Sequence, residues 1–243
     1  MQIRSLNRAQ LRELLDIFSR AIPPGFLSRS IYAAPGAEAY LARLLEHPRL
    51  SAHEQLWGIE LERGLVAAAH TRLIGEYHHL NNYAVLPEFQ GRGLGSRMMA
   101  HWNDLAHRQL AHHLSLDVAM ENEGARRHYA RFRFTEQARS CEYRLDGSLD
   151  LAEPIGVQLI DWPLAQASFQ AYGFGRFALA LGPERHLVDL RVGEFRLSSR
   201  DTRLLAALNA IDPTRSIVVR TSEPLENPVW TGISTIIRMT KEL

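Results

Sequence analysis

Three glycines within five residues, Gly91-Arg92-Gly93-Leu94-Gly95, separate a strand pattern from a helix pattern, and this junction constrains the fold more than any other stretch. Upstream, Tyr77 to Leu86 is a short strand-like run closed by Pro87. Downstream, Leu94, Met98, Trp102 and Leu105 recur at helical spacing. Glycines at a helix entrance carry a conformational cost that an ordinary turn avoids. They also let backbone N–H groups approach an anion closely, at the helix end whose dipole favours negative charge. Arg92 and Arg97 add positive charge beside them. An anion cradle is therefore favoured over a bare turn.

The elements around the loop follow from periodicity. Ile3 to Leu6 alternates like a strand, Asn7 suits an N-cap, and Leu11, Leu14, Leu15 and Phe18 form one helix face, ended at Ile22-Pro23-Pro24-Gly25. Ala37 to Glu46 repeats the helical pattern. Gln55 to Leu61, Leu65 to Ile74 and Tyr77 to Leu86 are closely spaced strands, which predicts an antiparallel meander. After the loop come a helix, a strand over Leu114 to Met120, a helix over Asn122 to Phe132 and a strand over Phe134 to Leu145. A break at Asp146-Gly147-Ser148 marks the expected boundary between residues 1–150 and a smaller lobe, 151–243.

Two nucleotide motifs fail at the loop. A P-loop ends in Gly-Lys-Ser/Thr, whereas this one ends in Gly95-Ser96-Arg97. A dinucleotide fingerprint needs G-x-G-x-x-G in a parallel unit, whereas this spacing is G-x-G-x-G after a meander. The segment Gln90-Gly91-Arg92-Gly93-Leu94-Gly95 instead resembles the Q/R-x-x-G-x-G/A loop of the GNAT superfamily of N-acetyltransferases. Tyr83-Ala84-Val85-Leu86-Pro87 is similar to that family's splayed central strand. Asn122, Ala125, Tyr129 and Phe134 match its N-x-x-A-x-x-x-Y-x-x-x-x-F pattern, with Arg133 where the family usually has glycine.

The resemblance implies an α/β (α+β) fold, with a mixed, mostly antiparallel central sheet flanked by helices and acetyl-CoA inserted where two strands diverge. It implies that backbone groups of Val85 and Leu86 pair with the pantetheine arm. Amides of Gln90, Gly91, Arg92, Gly93, Leu94, Gly95 and Ser96 would hold the pyrophosphate. Asn122 would lie near the arm and Tyr129 near the thioester sulfur.

Acetyl transfer to an alkyl amine with a pKa near 10.4 requires a proton acceptor, and a histidine or a water it orders suits the task. Family members often carry an acid or histidine six residues before the valine, here His79. Strict alternation would put His79, Asn81, Tyr83 and Val85 on one face; Glu76 and His78 remain alternatives. Tyr129 can hydrogen-bond the leaving thiolate. Complete proton transfer from a phenol to that thiolate is uphill by about 2 kcal/mol at ordinary pKa values.

The remaining features narrow the alternatives. With 28 Lys and Arg against 27 Asp and Glu, the net charge of +1 gives no case for a nucleic-acid or membrane partner. One cysteine, Cys141, excludes a disulfide framework, and no histidine spacing suits a metal. A cytoplasmic location is the expectation, with an amine acceptor as partner and a homodimer left open. Residues 151–243 read as a smaller, non-catalytic α+β lobe, a shortened, degenerate GNAT-like one without the glycine loop, with an unrelated appendage or dimerisation element as the alternative. Its one helix pattern is capped by Asp201, with Leu204, Leu205 and Leu208 inward. A non-enzymatic acyl-CoA-binding module and a longer acyl donor are the competing functions.

Overall fold

A computed structural model describes residues 2–49, 51–62, 64–146 and 153–243. The chain forms two compact units, Met1–Gln137 with Ile237–Leu243, and Ala138–Ile236. The expected division into 1–150 and 151–243 differs at both ends. Residues 147–152, where the break was expected, lie outside the described residues.

In the first unit, β1 (Ile3–Ser5) is followed by α1 (Leu11–Ala21), α2 (Pro24–Leu27) and α3 (Ala37–Glu46). The meander β2 (Glu54–Leu61), β3 (Gly64–Ile74) and β4 (Tyr77–Val85) comes next. Then α4 (Leu94–Arg108), β5 (His113–Ala119), α5 (Glu123–Arg131) and the start of β6 (Thr135–Leu145) complete the forward run. The end of β12 (Trp230–Glu242) lies between β5 and β6. Its alternate residues Ile237 and Met239 are buried in the same core as Trp102 and Leu114, which is why the last seven residues belong here.

Each face of this sheet buries its own core. One face packs Trp57, Ala69, Leu80 and Val85 against Met98 and Trp102 of α4 and Tyr129 of α5. The other packs Leu56, Ala68 and Ala84 against Leu14 and Phe18 of α1 and Leu41 of α3. Central strands covered on both sides are apolar at consecutive positions, as in Leu65-Val66-Ala67-Ala68-Ala69.

Two irregularities of β4 shape what lies around it. It pairs antiparallel with β3, but Leu80 opposes Thr71 and Asn82 opposes His70, so Asn81 is an extra residue, a β-bulge. It pairs parallel with β5 only from Tyr77 to Leu80, opposite His113 to Leu116. Beyond Leu80 the two strands part.

The second unit contains β7 (Val157–Ile160), α6 (Trp162–Tyr172), β8 (Phe174–Leu181), β9 (Glu184–Arg191), β10 (Glu194–Leu197), α7 (Thr202–Ile211) and β11 (Ser216–Thr221). β7 to β10 form an antiparallel run, and α7 crosses to β11, parallel to β10. This repeats the plan of β1 to β5 in shortened form. Phe177, Phe195, Leu204, Leu208 and Val219 form its core. Helix α6 was not expected from apolar spacing, because Ala165 is its one buried residue. Pro163 near its start and Gly173 at φ 80° after its end are the signals that mark it.

The departure at Arg133 is resolved by backbone geometry. Arg133 adopts φ 65°, the left-handed conformation that glycine favours. Its amide bonds the Ala130 carbonyl at 3.0 Å and the Phe134 amide bonds the Tyr129 carbonyl at 3.2 Å, the paired bonds of a Schellman turn. The turn is made without glycine and holds Phe134 stacked on Trp102 at 5.5 Å. Arg133→Gly should relieve the left-handed strain and stabilise the first unit by about 1 kcal/mol. Thermal unfolding should then show a Tm about 2–4 °C higher; an unchanged or lowered Tm would show the conformation to be unstrained.

Candidate active site

The glycine loop adopts the conformation its residues allow and others resist. Gly91 has φ 72° and Gly93, the N-cap of α4, has φ 79°. No side chain caps α4 and no acid lies in its first turn. The first intrahelical bond from this end is Arg97 N–H to the Gly93 carbonyl at 3.1 Å. The amides of Leu94, Gly95 and Ser96 thus open the helix as a group, the arrangement that binds phosphate. Arg92 is exposed beside them, its guanidinium over Phe89 at 5.3 Å.

The edge of β4 that parts from β5 continues this surface. Leu86 donates its amide to the Val66 carbonyl of β3 at 3.0 Å, so that group is committed to the sheet. By alternation, Tyr83 and Val85 present their backbone groups on the opposite, unpaired edge. There the Val85 carbonyl accepts a bond from Gln90 Nε2 at 2.9 Å. Gln90 therefore ties the loop to the strand through its side chain. The fit of these residues to an acyl-CoA arm and pyrophosphate rests on that open edge and those uncapped amides.

The α5 side supplies the phenol. Tyr129 is buried, with Tyr83 at 6.3 Å and His128 at 5.9 Å between ring centroids. Burial, with Tyr83 adding to it, raises the Tyr129 pKa far above the ordinary phenol value, and burial pushes Tyr83 up to about 12. Both stay protonated donors. His128 lies against Gly95, where an added Cβ would sit 3.6 Å from its ring. Asn122 caps α5, its Oδ1 accepting from the Ala125 amide at 3.1 Å, which explains part of the N-x-x-A spacing structurally.

The bulge at Asn81 changes the expected relation of His79 to Val85. In register with β3, Val85, Tyr83, Leu80 and His78 share the α4/α5 face, while Ala84, Asn82 and His79 share the α1/α3 face. His79 and Val85 are therefore on opposite faces. His78 is fully buried, and its Nδ1 accepts from Trp102 Nε1 at 2.7 Å, so it belongs to the core. Glu76 is exposed, beside His112.

His79 occupies a polar setting that the sequence pattern did not reveal. Its Nδ1 lies 3.0 Å from Ser115 Oγ on β5. Asp117, two residues further along β5, is paired with Arg238 of β12, with Nη2 to Oδ2 at 3.0 Å. Burial lowers the His79 pKa to about 4; Asp117 opposes that shift, and Arg238 and Arg72 reinforce it. On the same face Tyr32 Oη and His70 Nδ1 are 2.9 Å apart, and His70 Nε2 and Glu54 Oε2 2.8 Å. A histidine inside the apolar run Ala67-Ala68-Ala69-His70 was the available signal for that chain of contacts.

Residues 12–134 match the model of the Acetyltransferase (GNAT) family. The chain belongs to that family. Among solved structures it is similar to a tandem GNAT protein from the clavulanic acid biosynthesis pathway, at 14% identity and TM-score 0.67, over 99% of this chain and 98% of that one. It is similar to a GCN5-related N-acetyltransferase from Sphaerobacter thermophilus at 11% identity and TM-score 0.64, over 99% and 95%. Another from Kribbella flavida matches at 14% identity and TM-score 0.59, over 100% and 71%. At these identities the likeness is one of fold, and it extends across both units. No curated protein matches the chain in sequence.

His78 and His79 are both held near pKa 4 by burial, against 6.5 when unfolded. A depressed histidine pKa means the unfolded chain binds the extra protons first. Their stabilisation is complete above about pH 6.5 and is lost as pH falls through 4, by up to about 1.4 kcal/mol per pH unit for each. Urea unfolding followed by tryptophan fluorescence between pH 7 and 4.5 should show a falling midpoint. A flat midpoint would mean that neither imidazole is held neutral by the fold.

Proposed function

We propose that this protein transfers an acetyl group from acetyl-CoA to a primary amine by direct attack, with His79 or a water it orders as proton acceptor and Tyr129 as donor. The observation that carries the reading is the continuity of three features in one unit: the unpaired edge at Tyr83 and Val85, the uncapped amides of Leu94, Gly95 and Ser96, and the buried Tyr129 hydroxyl beside Tyr83.

Acetyl-CoA, when bound, supplies an electrophilic thioester carbonyl and a thiolate leaving group. The protein's own residues supply position and protons. The backbone groups of Tyr83 and the amide of Val85 are free to orient an extended arm as an added strand would. Leu94, Gly95 and Ser96 offer amides to the pyrophosphate.

His79 is neutral at physiological pH, so its imidazole can accept a proton without first losing one. Its low basicity favours relay through an ordered water over complete capture from an ammonium group. Asp117 lies on the same face and stabilises positive charge on the ring while it lasts. Tyr129 is too weak an acid in its buried site to surrender its proton fully. Its contribution is a hydrogen bond to negative charge developing on sulfur, in surroundings where such a bond is strong.

Thiol release from acetyl-CoA over a panel of amines tests this reading. Turnover is expected with at least one acceptor. Tyr129→Phe should lower kcat about 10- to 100-fold, the worth of one hydrogen bond to a charged group, with CoA affinity nearly unchanged. Calorimetry that shows tight CoA binding while no amine yields thiol would replace the transferase by a binding module. An unchanged kcat in Tyr129→Phe would remove that hydroxyl from the chemistry.

A further inference from the structure

Arg72 is the central residue of a cross-strand row, opposite Glu54 of β2 on one side and His79 of β4 on the other. All three lie on the α1/α3 face with His70 and Asp117. Arg72 is half-buried, and its Nε is shielded from solvent without a hydrogen-bond partner. Among the described residues its guanidinium makes no hydrogen bond and no ion pair. A shielded donor of a charged group left unpaired is costly, and arginine's fork is shaped for a carboxylate or phosphate.

The acids near Arg72 spend their hydrogen bonds on other groups, although Glu54, opposite it, feels its charge. Glu54 is bonded to His70 at 2.8 Å. Asp117 is held by both arms of Arg238. The charges on this face balance, Arg72 and Arg238 against Glu54 and Asp117, and what is unmatched is the hydrogen-bonding capacity of the Arg72 guanidinium, beside the histidine proposed to receive the amine's proton. An acceptor such as a polyamine would bind through carboxylates, and both on this face already hydrogen-bond protein groups. Directly opposed residues on paired strands have Cβ atoms about 4.5–5.5 Å apart, so one small molecule can reach both Arg72 and His79.

We propose that Arg72 anchors a carboxylate of the acceptor, and that the acetylated amine belongs to an amino acid or a similarly small molecule with its carboxylate a few bonds from the nitrogen. This rests on the acetyl-transfer reading and adds a substrate class to it. The guanidinium would take both carboxylate oxygens through its two terminal Nη groups, its Nε being shielded, and leave the amine turned toward His79. A lysine side chain within a protein lacks such a carboxylate and would leave Arg72 unsatisfied.

The test uses matched triplets: an amino acid, its carboxamide and its decarboxylated amine, each assayed for thiol release with acetyl-CoA. The wild-type protein should prefer the free acid over both analogues by about 10- to 100-fold in kcat/KM, the loss expected for one charge-assisted contact. The carboxamide's amine is the less basic, which favours it in water, so a preference for the free acid isolates the anchor. Arg72→Gln should abolish the preference and Arg72→Lys should restore part of it, with CoA affinity of both variants unchanged as the check on folding. Calorimetry of the amino acid alone, with wild type and Arg72→Gln, reads the anchor without turnover. Equal rates across a triplet, a preference that survives in Arg72→Gln, or better turnover of polyamines or peptides would overturn the proposal while leaving acetyl transfer intact. If no acceptor yields thiol, the transferase reading fails; amino-acid binding lost in Arg72→Gln would still support the anchor, and its absence would overturn it.

Discussion

The parting of β4 from β5 after Leu80 is the constraint on which the site depends. A strand interior to a sheet normally spends its backbone groups on two neighbours, and an open edge inside a fold needs some other partner. Here β3 satisfies one side of β4 as far as Leu86, and the other side is paired only up to Leu80. Gln90 reaches back to the Val85 carbonyl and fixes the loop to that edge. The positive-φ glycines then aim the start of α4 at the same opening. Backbone alone thus builds a surface suited to an extended, anionic ligand, and side chains refine it.

The bulge at Asn81 divides the chemistry between the two faces of the sheet. Before it, His79 joins Arg72, Ser115 and Asp117 on the α1/α3 face. After it, Tyr83 and Val85 join Tyr129 on the α4/α5 face. Had the alternation run straight through, the histidine would share the α4/α5 face with the phenol. Their separation leaves the imidazole and the phenol on opposite faces of β4. Burial tunes both groups in consistent directions, since it favours a neutral imidazole and a protonated phenol.

Much of this was legible in the sequence because its signals are local. Gly91 and Gly93 marked positive φ, the helix face of Leu94, Met98 and Trp102 marked α4, and Asn122 to Phe134 marked the α5 segment. What was hidden depends on pairing between distant strands. Nothing in Leu80-Asn81-Asn82 announces a bulge, so alternation put His79 and Val85 on one face. Ile237 and Met239 look like any strand residues, and only their partners show that the last strand closes the first unit. Arg72 reads as an ordinary strand arginine until Glu54 and Asp117 are seen to hydrogen-bond other groups. The left-handed Arg133 shows that a Schellman turn can persist where the preferred glycine is absent.

Amide hydrogen exchange with and without CoA addresses the cleft most directly. Protection is expected at the amides of Tyr83, Val85, Leu94, Gly95 and Ser96, with little change in β7 to β11. Saturating CoA that leaves those five amides unchanged, or that protects the second unit instead, would contradict an acyl-CoA cleft at this parted edge.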